Sequence, residues 1–211
     1  MDAEGQKNHL KAYGITYWVL NKQQNVKWLL NYRGGSFLIP FIDSVEKECL
    51  IRGVSYEVLS SEKAESILKE IQSPSKNMDA VTLEKAPKIA VYSPNGNQPW
   101  DDAVTMVLTY AEIPYETIYD TEVLNDALLL YDWLHLHHED FTGQYGKFYR
   151  AYRNAAWYIE QQQAAEVLAS SLGYIKVSDQ KLAVARKIRE YVLGGGFMFA
   201  MCSATDSLIS L

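Results

Sequence analysis

The sequence predicts an α/β protein: a parallel sheet with flanking helices, preceded by a smaller α/β unit. Three observations carry this. From Lys88 onward, strand-length apolar runs alternate with stretches of helical periodicity, the pattern of parallel strands joined by right-handed crossovers. The largely apolar stretch 127–136 contains a strand, as expected for one buried on both faces. Near the end, Gly194-Gly195-Gly196 feeds a short apolar strand that stops at Cys202 and is followed by the small residues Ser203 and Ala204. That is the sequence form of a nucleophile elbow, a tight strand-to-helix turn that lifts one side chain above the sheet.

Composition bounds the rest. With 211 residues, 48% of them hydrophobic, the chain can bury one substantial core or a domain and a half. A net charge of −6 with scattered basic residues argues against a nucleic-acid surface or a polybasic membrane patch. No apolar stretch reaches the ~20 residues of a membrane span. The polar N-terminus has no signal-peptide pattern, so the chain as given reads as cytoplasmic, a lost N-terminal leader aside. The two cysteines do not form a disulfide framework, and Cys49, four residues after Val45, reads as the buried face of a helix.

In order, residues 14–20 and 26–32 read as two strands, a candidate hairpin, because they are rich in Tyr, Trp, Val and Leu. Arg33-Gly34-Gly35-Ser36 breaks the second as a turn. It lacks the lysine and glycine spacing of a phosphate loop. Asp43 and Glu46 look like a capping box for a helix closed by Gly53, residues 54–59 are the next strand, and Ser60 or Ser61 caps a helix bearing Ala64, Ile67, Leu68 and Ile71. This gives a small unit over 1–75, a polar linker over 76–87, and an α/β domain over 88–211. That domain starts with a strand at 88–93, a helix to about Ala111 and a strand at 115–119. Helices follow at about 160–171 and 179–193.

Cys202 is the candidate nucleophile. A thiol at the carboxyl end of a strand, facing helix N–H groups, has a lowered pKa. The second constellation is His135, His137, His138 and Glu139, which follow a buried strand. They can line the pocket or supply a base, or bind a transition metal, which would make the protein a metal-dependent enzyme. The leading reading needs no cofactor and no metal. Ser203 and Gly143 are candidate oxyanion donors. A third feature, the aromatic and basic stretch from Tyr145 to Arg153 with Trp157 and Tyr158, reads as a lid or packed insertion.

Two resemblances add to this reading. Gly194-Gly195-Gly196-Phe197 and Cys202 resemble the elbow of class I glutamine amidotransferases. Tyr191-Val192, the same glycine run and Ser203 to Asp206 resemble its trehalose-utilisation (ThuA-like) branch, which usually has His where this chain has Cys202. The resemblance implies a flavodoxin-like fold from about Lys88 and a hydrolase or transferase acting on a small-molecule substrate. It also implies a catalytic histidine beyond the elbow, and this sequence has none after His138, so the expectation is a domain incomplete at its C-terminus. Over nearly its full length the chain is also similar to bacterial proteins labelled asparagine synthetase B, through 31–37, 132–146 and 194–207. Asp2 stands where such a synthetase exposes cysteine, and 203–207 lacks the glycines of its pyrophosphate loop, so ATP-dependent amide synthesis is not expected. The alternative is a non-catalytic domain that binds a carbohydrate or another small molecule. An unfinished sheet edge also leaves room for pairing with a second copy.

Overall fold

The structure, a computed structural model, describes residues 5–94, 103–136, 144–201 and 204–205, with the backbone alone at 144–147. The chain forms two compact units, Met1–Ala86 with Val104–Pro114, and Pro87–Ala103 with Tyr115–Leu211.

The first unit opens with a helix, α1 (His9–Asn21), where the β propensity of 14–20 predicts a strand. The burial pattern explains the difference. Ala12, Ile15, Thr16 and Val19 are buried at helical spacing, and Asn8 Oδ1 caps the helix by accepting the Lys11 N–H at 3.2 Å. Tertiary burial of that stripe overrides local preference. The candidate hairpin instead joins β1 (Val26–Leu30) to β2 (Ser36–Leu38), and the 33–36 break is its turn. After α2 (Asp43–Arg52) and α3 (Ser61–Ile71) comes β3 (Asp79–Leu83), giving an antiparallel sheet of order β2-β1-β3.

Three details depart from the sequence reading. Ile42, not Asp43, holds the cap position of α2, and Asp43 stands in its first turn. Residues 54–59 join no sheet. The stretch 76–87 is not a plain linker, since β3 pairs with β1 from Val26↔Leu83 to Leu30↔Asp79. Its strand pattern, Ala80 to Leu83, is short and lies between polar segments, which hides it in a composition scan.

The helix α4 (Ala103–Ala111) also runs into the first unit, although it follows the second unit's first strand in sequence. The Ala111 carbonyl oxygen lies 1.8 Å from where a Cβ on Gly14 would stand, so only glycine allows this approach. Glu112 then pairs with Lys11 and, at 3.3 Å, with Arg52.

The second unit holds a four-stranded parallel sheet of order β5-β4-β6-β7, built from β4 (Ile89–Tyr92), β5 (Glu116–Ile118), β6 (Trp133–Leu136) and β7 (Phe197–Ala200). The chain leaves the central β4 for β5 on one side and returns for β6 on the other. This is the flavodoxin-like order, with its switch point between β4 and β6. On one face Ala90, Tyr92, Leu134, Leu136, Met198 and Ala200 pack against α5 (Asp120–Leu124) and α8 (Val177–Leu193) through Val123, Val184, Ala185 and Ile188. Register puts Val91, His135 and Phe199 on the other face.

The glycine run has a packing role. Gly194 caps α8, Gly195 has φ +99, and a Cβ on Gly196 would stand 2.2 Å from the Tyr191 ring. These glycines turn the chain from α8 into β7 at the amino end of the strand, the opposite end from Cys202. Two further helices, α6 (Gln144–Tyr152) and α7 (Ala156–Ser171), form a hairpin between β6 and α8. Among the described residues no helix is long and apolar enough to cross a membrane.

Replacing glycine by alanine inside a helix ordinarily stabilises by about 0.5–1 kcal/mol. At Gly14 the sign reverses: Gly14→Ala is expected to lower unfolding free energy by about 1–3 kcal/mol in urea melts, the cost of overpacking. A stabilised Gly14→Ala protein would contradict the close contact with Ala111.

Candidate functional site

Open parallel sheets place ligands beyond the carboxyl ends of their strands. Here that edge is set by Tyr92, Ile118, Leu136 and Ala200. The Ser93 N–H donates to the Ile118 carbonyl at 3.0 Å, and the Met201 N–H to that of Leu136 at 3.4 Å, so ladder contacts continue just past the strands.

A buried polar cluster occupies this edge on the α5/α8 side. The carboxylate of Asp120, wholly shielded from solvent, accepts a hydrogen bond from the Tyr92 hydroxyl through Oδ1 and one from Lys181 Nζ at 2.6 Å through Oδ2. Lys181 also donates to the hydroxyls of Tyr92 at 3.2 Å and Tyr119 at 3.0 Å, which gives each ammonium proton an acceptor. Its Nζ lies 4.4 Å from the Tyr119 ring centroid, and the Tyr92 and Tyr119 rings are tilted 39° at 5.0 Å. The four members come from three places. Tyr92 ends β4, Tyr119 and Asp120 follow β5, and Lys181 stands in the amino-terminal part of α8. A carboxylate in low dielectric needs such a partner set. The cluster therefore ties strand ends and helix together under the edge where a substrate would lie.

Sequence reasoning did not single out this cluster. A signal existed: Lys181 sits near the positive end of the α8 dipole, where a cation is unfavourable unless an anion offsets it. Next to it, Gln180 is 1% exposed and its Nε2 has no hydrogen-bond partner among the described residues.

Of the histidine cluster, His135 is described. It is fully buried on β6, and its ring stacks on Phe199 at 5.8 Å and 27°. His137, His138, Glu139 and Gly143 lie outside the described residues, as do Cys202 and Ser203. Around the elbow, β7 ends at Ala200, and Ala204 and Thr205 are helical, with the Ala204 N–H donating to the Met201 carbonyl at 3.1 Å. Ala204 is buried in the core of the second unit. Among the described residues no group of three or more His, Cys, Asp or Glu side chains is placed to hold a metal.

The aromatic insertion packs largely on itself. Phe148 and Tyr152 of α6 meet Trp157 of α7 at 6.3 and 5.3 Å between centroids, and Tyr149 meets the buried Tyr158 at 6.4 Å. The helical hairpin leaves one side of Tyr149, Tyr152 and Trp157 exposed.

The second unit thus belongs to the flavodoxin-like α/β class, with a braced carboxyl edge. Comparison with protein-family models, with curated proteins and with solved structures finds no match for this chain.

Lys181→Ala is expected to destabilise the protein by about 3–5 kcal/mol, because it leaves the Asp120 carboxylate buried without its cation. Adding Asp120→Asn should recover part of that loss in the same urea melts. A Lys181→Ala loss below about 1 kcal/mol would place the pair among exposed ones.

Proposed function

We propose that the second unit is an amidotransferase-like hydrolase or transferase domain, with Cys202 as nucleophile at the carboxyl edge of the parallel sheet. One observation carries this reading: β7 ends two residues before Cys202, and the chain is helical two residues after it, at Ala204. A residue between a strand end and a helix start is near backbone N–H groups that favour an anion. The class I glutamine amidotransferase resemblance of 194–206 points the same way, and the strand order agrees with the fold of that superfamily.

In this reading the Cys202 thiolate attacks a carboxamide carbon. The carbonyl π pair moves to oxygen, where N–H groups near Ser203 and Gly143 hold the charge. Collapse expels the amine, which takes up a proton, and leaves a thioester that water hydrolyses. The pocket candidates are His135, buried within the neighbouring strand β6, and His137, His138 and Glu139, which follow it in sequence. The Tyr92–Asp120–Lys181 cluster acts by positioning, since the wholly buried Asp120 carboxylate is held by Tyr92 and Lys181.

The exposed rings of Tyr149, Tyr152 and Trp157 favour a second reading, a non-catalytic domain that stacks a sugar-like ligand. Iodoacetamide alkylation followed against pH, with each cysteine read separately by mass spectrometry, separates the two. Burial pushes the Cys49 thiol above its usual range, which makes it the slow internal control. The catalytic reading expects Cys202 to label rapidly with a midpoint well below the ~8.5 of a free thiol. Labelling of Cys202 as slow as that of Cys49 would count against it and leave the binding reading.

A further inference from the structure

The first unit contains a cavity of about 870 Å³, within the roughly 300–1,000 Å³ typical of ligand sites. Two runs of chain wall it, 36–42 from β2 onward and 54–61 ahead of α3. Its floor is apolar, with Ile15, Leu29, Val45 and Ile67 among the lining residues. The cavity touches both apolar clusters of the unit, one around α1 and α2 and a smaller one of Leu29, Ile67 and Ile71.

The run 54–60 carries the inference. Its composition is that of a strand, and it proceeds without turn, bend or ladder. Side chains hold it in place: the Tyr56 hydroxyl donates to Glu46 Oε1 at 2.8 Å, and Arg33 meets Glu57 at 3.4 Å. The main chain of its middle is unspent. Among the described residues, 56–59 make no backbone hydrogen bond. Val58 is 59% exposed. Such an edge is a template for another strand.

The main chain of Val54 and Ser60, at the two ends of the run, bonds to the flanking helices, and that of Ser55 is paired with a side-chain amide. Gln6 Nε2 donates to the Ser55 carbonyl at 3.0 Å, and the Ser55 N–H donates to Gln6 Oε1 at 3.2 Å. The side-chain amide of Gln6 thereby makes the two-bond exchange that a peptide group makes in a β ladder. Gln6 lines the same cavity. Because main-chain groups alternate along a straight run, Glu57 and Leu59 present theirs toward the side on which Gln6 sits. The charged lining residues, Lys27 and Arg33 against Glu46 and Glu57, balance, which matches an uncharged occupant.

We propose that the first unit binds an extended, uncharged peptide segment of another protein by β-augmentation. The segment pairs with 55–59 and places alternate apolar side chains in the cavity. This reading stands on the first unit alone and is independent of the chemistry proposed for Cys202.

The test uses the full chain and acetylated, amidated pentapeptides alternating threonine with valine, leucine, isoleucine or phenylalanine. Saturable one-to-one binding is expected by calorimetry for at least one of them, with slowed amide exchange at Glu57 and Leu59 in the complex. Methylating two alternate backbone nitrogens of that peptide removes donors to the ladder and should weaken it about tenfold or more. Three results would overturn the proposal: no binding by any member, equal affinity of the methylated peptide, or binding that leaves exchange at Glu57 and Leu59 unchanged. The last would mean a cavity that takes apolar groups without pairing its edge.

Discussion

The second unit depends on one buried ion pair. Asp120 has no exposure, and Lys181 and Tyr92 supply the donors its carboxylate needs. The pair joins elements far apart in sequence, the carboxyl end of the central strand β4, the start of α5 after β5, and α8. Buried charge pairs rarely add net stability over an apolar substitute, but removing one partner is costly. Their value here is geometric. A carboxylate with a fixed set of donors admits one arrangement of these segments, and that arrangement sets the sheet edge on which the switch point opens.

The two units solve the problem of covering a sheet differently. The parallel sheet buries β4 completely, and one of its faces packs on α5 and α8. The antiparallel sheet of the first unit is short, with β3 half out in solvent, and its apolar residues divide into two clusters that share a cavity. In the same unit α4 sits tightly, with the Ala111 carbonyl filling the place of a side chain at Gly14.

Much of the parallel sheet was legible because its signals are strong. A continuous apolar run gave β4, and the long amphipathic stripe gave α8, with bounds close to those observed; the stretch 127–136 does contain β6, but only at Trp133–Leu136, since Ala127–Leu130 is a 3-10 helix. In the first unit the signals conflict. Residues 14–20 carry β-branched and aromatic residues on a helical burial stripe, and the stripe wins once it docks. β3 is five residues between polar neighbours and was hidden in the apparent linker. The return of 104–114 to the first unit is a long-range packing choice with no local mark. At the candidate site, sequence pattern singled out the histidines and Cys202 because clusters and elbows are local. It missed Tyr92, Asp120 and Lys181, whose meeting depends on topology. The glycine run, read as feeding the last strand, does so: it shapes the turn from α8 into the amino end of β7.

Amide hydrogen exchange on Asp120→Asn, compared with the unaltered chain, tests most directly whether the ionised carboxylate organises the edge. The substitution keeps the side chain's shape and removes its charge. If the pair braces the edge, exchange should quicken together at Ser93, at 119–123 and through the first turns of α8, while the ladder between β1 and β3 keeps its rates. Unchanged exchange at those three places, or an equal quickening in the antiparallel sheet, would contradict the account.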